Sequence, residues 1–93
     1  MYRIIGSRGI GKTYRLLEKA SEVGGIVVCS NPDAMREKAY TWGFTNLKFM
    51  QYKEYISYYC EEPVFIDEIE NYLKSISGRT LVGYTYSMED EQV

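Results

Sequence analysis

Short apolar runs alternate along the chain with segments whose apolar residues recur at helical spacing. Residues 2–5 form a strand-like opening, and Ile26–Cys29 contains no polar position at all. A strand without polar positions is typical of the centre of a parallel sheet that helices cover on both faces. The same criteria predict further strands at residues 47–50, 63–68 and 80–85.

Four segments with helical periodicity separate these predicted strands. The first begins at Lys12 and stops at Gly24 and Gly25, and the second starts at a capping sequence, residues 30–33, and ends at Gly43. A short helix is predicted at 52–59, and a longer one runs from residue 69 to residue 78. Strands that alternate with helices through short connections predict an α/β fold, a parallel β-sheet flanked by helices.

Length and composition indicate one small globular domain. Ninety-three residues, of which 45% are apolar and 26% charged, leave no room for a second domain. We assign the domain to residues 1–87 and an acidic tail, which we expect to fray, to residues 88–93. No apolar run approaches the roughly 18 residues that cross a bilayer, and the N-terminus resembles no export signal. We therefore expect a cytoplasmic protein that does not enter a membrane.

Composition also excludes several kinds of chemistry. The chain has no histidine and only two cysteines, Cys29 and Cys60, which excludes zinc-site spacing and histidine-based catalysis. We expect both thiols to stay reduced in the core. The net charge is −2, and scattered basic residues favour a solvated face over a nucleic-acid track. The ten tyrosines are expected to fill half-buried surface, some of them in stacking or interface roles.

The glycine-rich turn after the first predicted strand carries the strongest functional signal. Residues 6–13 match the phosphate-binding pattern G-x-x-x-x-G-K-[ST] in full, between a strand and a helix. In such a loop the backbone N–H groups and the helix N-terminus form a concave anion site. Lys12 would contact the β and γ phosphates, and Thr13 would ligate Mg²⁺. The predicted cofactor-binding residues are Gly6, Ser7, Arg8, Gly9, Ile10, Gly11, Lys12, Thr13 and Tyr14. The alternative is a plain glycine-rich turn with an exposed lysine.

Two carboxylates end the strand predicted at 63–68. Asp67 and Glu68 follow an apolar run, at the edge where α/β sheets gather their ligands. Neighbouring side chains on a strand point to different sides, so the two acids can have different roles. Asp67 is the candidate Mg²⁺ ligand, and Glu68 is the candidate base that orients the attacking water. The alternative is that both acids cap the following helix.

The two motifs together resemble P-loop NTPases, over residues 2–13 and 63–87. The adjacent Asp67 and Glu68 resemble the additional-strand division with a catalytic glutamate, and the order of segments is similar to helicase and viral terminase motor cores. The resemblance implies a truncated RecA-like core, ATP and Mg²⁺ as cofactors, and the host cytoplasm if the protein is viral. It also implies a sensor strand at 80–85, between the first strand and the strand at 63–68. Lys12, Glu68 and Thr85 would then be catalytic. For Thr85 the alternative is a polar residue at an ordinary strand end.

The chain departs from these motor cores in two respects. It is considerably shorter, and it has no obvious arginine finger, the cation that can raise the hydrolysis rate by roughly 10³ to 10⁵. Arg8 and Arg79 are the candidates within the chain. We therefore expect slow turnover alone, and faster turnover in a homo-oligomer or with a larger protein partner that supplies the finger. Nucleic acid as a further partner receives no support from the charge.

Three functions stay open at this stage. The first is an ATP-binding, Mg²⁺-dependent NTPase that hydrolyses the β–γ phosphoanhydride bond, with viral nucleic-acid metabolism as one setting. The second is a non-catalytic nucleotide-binding accessory module regulated by ATP. The third is a small-molecule or nucleotide kinase, which would need a lid and an acceptor site. Tyr2, Tyr14 and Trp42 are the aromatic candidates for stacking an adenine, although core packing is favoured for Trp42.

Overall fold

The computed structural model describes residues 3–5, 11–78, 80–83, 85 and 91–92. Helices and strands alternate along these residues. In chain order the elements are β1 (Ile4–Ile5), α1 (Lys12–Val23), β2 (Ile26–Cys29), α2 (Pro32–Thr41), β3 (Lys48–Gln51), α3 (Tyr52–Ile56), β4 (Val64–Ile66), α4 (Ile69–Ser77) and β5 (Glu91–Gln92).

Strand β2 lies at the centre of a three-stranded parallel sheet with the order β3-β2-β4. Val27 is in register with Phe49 of β3 and with Phe65 of β4. Strand β1 pairs with β5, also in parallel, in a separate two-stranded sheet. Because helices pack on both faces of the larger sheet, the prediction of an α/β fold with a parallel sheet is confirmed for the described residues.

The complete burial of β2 explains its central position. Its four residues are at most 1% exposed, and alternate side chains enter opposite cores. Val27 and Cys29 pack in the core that α1 and α2 complete, whereas Ile26 and Val28 pack with Tyr52 of α3. This alternation is the two-residue period of a strand, here with both faces covered.

The ends of the first two helices follow from local chemistry. Helix α1 ends at Gly24, which has a left-handed φ of 66° and donates its backbone N–H to Ala20. Helix α2 begins after Asn31, whose side-chain oxygen accepts a hydrogen bond of 3.2 Å from the backbone N–H of Ala34, and Pro32 occupies its first position. These positions confirm the predicted start and stop signals.

One prediction near the C-terminus, the strand at 80–85, is wrong. Residues 80–83 and 85 form no strand, and Val82 is 94% exposed. A sequence with strand propensity becomes a strand only where a neighbouring strand pairs with it and buries one face, and this segment has neither. Within the tail predicted at 88–93, Glu91–Gln92 pairs with β1, and the other tail residues lie outside the described residues. Among the described residues, no helix is long and apolar enough to cross a membrane.

Candidate functional site

The carboxyl ends of β2 and β4 meet the first turn of α1 at one edge of the sheet. Asp67 directly follows β4, and its backbone N–H donates a hydrogen bond of 2.9 Å to the carbonyl oxygen of Val28. Lys12 and Thr13 form the start of α1, directly after Gly11, which has a left-handed φ of 87°. Parallel strands place their carboxyl ends together, so this edge gathers residues from distant parts of the sequence.

The Thr13 side chain lowers the pKa of the Asp67 carboxyl through a hydrogen bond in which its hydroxyl is the donor, which places the two side chains close together. The positive charge of Lys12 also acts on this carboxylate. The structure therefore brings together three residues that the sequence assigned to one site, namely Lys12, Thr13 and Asp67. A plain glycine-rich turn unrelated to the acidic strand end would not require this contact.

The carboxyl group of Asp67 lies in an environment that disfavours its charge. Burial, and next the neighbouring negative charge of Glu68, raise the pKa of Asp67 above its usual value. Three groups oppose this rise, namely Lys38, Lys12 and Thr13. Since burial dominates, a cation close to Asp67 would remove a large part of the cost of its charge.

Glu68 occupies a backbone conformation that non-glycine residues rarely adopt. Its φ of 56° and ψ of 71° are left-handed, and among the described residues it is the only non-glycine residue with positive φ. Such a conformation costs about 1–2 kcal/mol for an L-residue. Glu68 precedes α4 but accepts no capping hydrogen bond through its side chain. The exposed Glu68 side chain therefore does not cap the helix through a hydrogen bond.

A buried tyrosine, Tyr52, stabilises the turn at Asp67 and Glu68 through a hydrogen bond to its backbone. Its hydroxyl donates a hydrogen bond of 2.7 Å to the backbone carbonyl of Asp67, and the side chain is only 6% exposed. Burial, followed by the nearby acid Asp67, raises the pKa of Tyr52 to about 12, so the hydroxyl stays protonated and remains a donor. From the sequence, Tyr52 is only the first residue of the short helix predicted at 52–59. Its position directly after a strand end was the signal for a second role.

Two further residues lie near Asp67: Lys38, which no sequence pattern assigned to the site, and Cys29, which was expected only as a core thiol. Lys38 of α2 lowers the pKa of Asp67 through its positive charge, although α2 carries no motif that pointed to the site. Cys29 ends β2, and burial, followed by the charge of Asp67, raises the pKa of its thiol to about 11. Cys29 and Cys60 are both free. The Cys29 thiol is therefore a protonated core group, in line with the role expected from the sequence.

The structure does not describe several of the predicted site residues. Gly6, Ser7, Arg8, Gly9 and Ile10 lie outside the described residues, as does Arg79. Thr85 is described, and it is exposed outside any helix or strand. Its catalytic role stays a prediction.

A divalent cation at this edge would bind oxygen atoms. The described residues contain no group of three or more His, Cys, Asp or Glu side chains that could hold a metal ion. The Thr13 hydroxyl and the Asp67 carboxylate are hard oxygen donors of the kind that Mg²⁺ prefers. Mg²⁺ keeps several waters and is commonly bound through one or two protein groups together with substrate phosphates, so a pair of protein donors fits a metal bound with a nucleotide.

Two surface depressions lie beside the site rather than on it. One, of about 240 Å³, opens at the same edge of the sheet and is lined by Ser30, Gln51, Tyr52, Lys53 and Ser75. Another, of about 490 Å³, is lined largely by tyrosines of α3, α4 and the segment after α3, and it contains no predicted site residue. Because neither includes Lys12, Thr13 or Asp67, the chemistry of the side chains rather than cavity size identifies the candidate site.

The chain was compared with protein families, curated proteins and solved structures. No family model, curated protein or solved structure matches this chain. The interpretation of the site therefore depends on its own residues and contacts.

Replacement of Tyr52 by phenylalanine tests the support of the turn. The Tyr52→Phe variant removes the hydrogen bond to the carbonyl of Asp67 and leaves a half-buried acceptor without it. We expect the free energy of unfolding to fall by about 1–2 kcal/mol in urea denaturation. The control is Tyr59→Phe, at a residue that is 84% exposed, and should change stability by less than about 0.5 kcal/mol. Equal stability of both variants would contradict this role of Tyr52.

The raised pKa of Asp67 predicts a pH dependence of stability. The folded protein binds the proton of the Asp67 carboxyl more tightly than the unfolded chain does, because the pKa of an aspartate in an unfolded chain is near its ordinary value of 3.8. The ionised carboxyl therefore costs stability above that pH, and the cost is complete once the pH exceeds the folded pKa. We expect Asp67→Asn to raise the Tm near pH 7, and this gain to disappear on acidification below the unfolded pKa.

The control for this pH series is Glu61→Gln, which changes an exposed acid of the segment before β4. Its effect on the Tm should be small at every pH. A lower Tm for Asp67→Asn than for the natural protein at neutral pH would show that the hydrogen bond with Thr13 outweighs burial.

Proposed function

We propose that the protein binds a nucleoside triphosphate together with Mg²⁺ and slowly hydrolyses its β–γ phosphoanhydride bond. The contact between Thr13 and Asp67 carries this proposal, because it joins the end of the phosphate-loop sequence to the acid that follows β4. ATP is the nucleotide that the resemblance to helicase and terminase motor cores favours.

The first turn of α1 supports an anion site. Its N-terminal backbone N–H groups carry partial positive charge, and the turn contains no acidic residue that would repel a phosphate. Lys12 adds a full positive charge at the same end of the helix. In this proposal the β and γ phosphates lie over the helix end, and Lys12 neutralises them.

The Thr13 hydroxyl and the Asp67 carboxylate would hold Mg²⁺, which neutralises charge on the phosphate oxygens as the bond to the leaving group breaks. Glu68 would orient a water molecule and accept its proton as the water oxygen bonds to the γ phosphorus. The bridging oxygen leaves with the electron pair of the broken bond, giving the diphosphate and inorganic phosphate. The exposed, left-handed position of Glu68 fits a side chain held for chemistry, since strained backbone is concentrated at functional sites.

The alternative function is a nucleotide-binding accessory module without meaningful turnover. One observation favours it: Thr85 is exposed outside any strand, whereas the sensor role implied by the resemblance needs it beside the γ phosphate. In the hydrolytic function an assembly matters, because an arginine from a second copy or a larger partner would supply the charge that accelerates hydrolysis.

Binding and turnover of ATP separate these two functions. ATP with Mg²⁺ at about 100 times its dissociation constant should stabilise the natural protein by about 2.7 kcal/mol, measured as a rise in Tm. Lys12→Ala should lose this rise, because it removes the cation at the phosphates. Glu68→Gln should keep the rise but release phosphate at least about 100-fold more slowly than the natural protein.

The matched controls are Lys53→Ala and Glu61→Gln, which change exposed residues of the same charge away from the first turn of α1. Both should bind and hydrolyse ATP as the natural protein does. If the natural protein binds ATP yet neither it nor Glu68→Gln releases phosphate, the accessory function is correct. If ATP with Mg²⁺ leaves the Tm of the natural protein unchanged, both functions are wrong.

A further inference from the structure

Three aromatic rings cluster beside the start of α1. The ring centroids of Tyr14 and Trp42 are 5.2 Å apart and meet edge to face at 74°, and those of Tyr14 and Phe44 are 5.4 Å apart. Phe44 is half-buried and packs against the core that α1 and α2 form with the sheet. We call Tyr14 and Trp42 the aromatic platform, and Phe44 is its anchor to the core.

The aromatic platform is fixed but accessible. Tyr14 is 43% exposed and Trp42 is 40% exposed, although each has an aromatic neighbour. Core packing was favoured for Trp42 from the sequence, and its exposure shows that this interpretation was only partly right. Two adjacent aromatic rings that stay open to solvent form an apolar surface on which a planar ligand can stack.

The aromatic platform lies close to the candidate site. Tyr14 directly follows Thr13, whose side chain bonds to Asp67. Trp42 directly follows α2, and its backbone N–H donates a hydrogen bond of 3.1 Å to the carbonyl oxygen of Lys38. Residues four apart lie on the same face of a helix, so Trp42 shares a face with Lys38, whose charge reaches Asp67. The ring contact and the helix geometry therefore place the platform beside the proposed phosphate site.

We propose that the aromatic platform of Tyr14 and Trp42 binds the purine ring of the nucleotide whose phosphates lie at Lys12 and Thr13. This inference rests on the proposed function, because the triphosphate fixes where the base can reach. The ribose and the α phosphate separate the base from the β and γ phosphates, so a base beside the first turn of α1 is compatible with phosphates over the helix end.

Stacking has a definite consequence for specificity. It uses the π-face that every base offers and does not read the hydrogen-bonding edge, so it discriminates weakly between bases of equal size. A purine presents a larger face than a pyrimidine. We expect ATP and GTP to bind within about threefold of each other, and CTP and UTP to bind several-fold more weakly.

Trp42 itself reports on this contact, because it is the only tryptophan in the chain. Titration with ATP and Mg²⁺ should quench its fluorescence as the base stacks on the ring. Tripolyphosphate with Mg²⁺ carries the phosphates without a base. It should displace ATP in calorimetric competition but leave the fluorescence of Trp42 close to its starting value.

Variants of Trp42 test the energetic role of the ring. Trp42→Ala should weaken ATP binding by about tenfold in calorimetry while leaving tripolyphosphate binding unchanged. Trp42→Phe keeps an aromatic face and should retain most of the affinity. The control is Tyr40→Ala, which removes another aromatic ring of α2 that is 58% exposed, and should bind ATP normally. Unchanged binding of tripolyphosphate also shows that each variant is folded.

The outcomes separate this inference from the proposed function. ATP and tripolyphosphate could both bind while ATP leaves the fluorescence of Trp42 unchanged and Trp42→Ala binds ATP as tightly as the natural protein. In that case the base lies elsewhere and only the phosphate site stands. If a single-stranded oligonucleotide quenches Trp42 and ATP does not, the platform binds nucleic acid instead, and the inference is wrong. If neither ATP nor tripolyphosphate binds, the proposed function fails and the inference fails with it.

Discussion

The burial of β2 on both faces is the constraint on which the rest of the structure depends. Ile26–Cys29 has no solvent-facing side, so helices must cover the sheet from both directions, and the helical connections between its strands let them run parallel. Parallel strands bring their carboxyl ends to one edge. The approach of Asp67 to the first turn of α1 is therefore a result of the sheet, and the hydrogen bond with Thr13 completes it.

Stability and site chemistry oppose each other at this edge. Asp67 is ionisable and partly buried, and Glu68 holds a left-handed backbone that an L-residue adopts at a cost. The hydroxyl of Tyr52 compensates in part by binding the carbonyl of Asp67. A chain selected only for stability would place glycine or asparagine at position 68 and an amide at position 67. The proposed cation and phosphates would account for the two acids and for the strained backbone of Glu68.

The hydrophobic pattern predicted most of the elements, because each segment carried its own signal. Ile26–Cys29 lacked polar positions, and Asn31 with Pro32 marked the start of α2. The pattern failed at residues 80–85, where strand propensity was present but pairing depends on distant backbone that no local window contains. At the site, spacing within motifs identified Thr13 and Asp67. The supporting roles of Tyr52 and Lys38 depend on how α3 and α2 pack, which the sequence does not encode locally.

A double-mutant cycle on Mg²⁺-dependent ATP affinity tests the central claim most directly. Thr13→Val and Asp67→Asn would each be measured by calorimetry with and without Mg²⁺, and then combined. If the two side chains hold one ion, Mg²⁺ strengthens ATP binding only in the natural protein, and the double variant binds no more weakly than either single variant. Contributions that add independently, or an affinity of the natural protein that does not depend on Mg²⁺, would contradict the account.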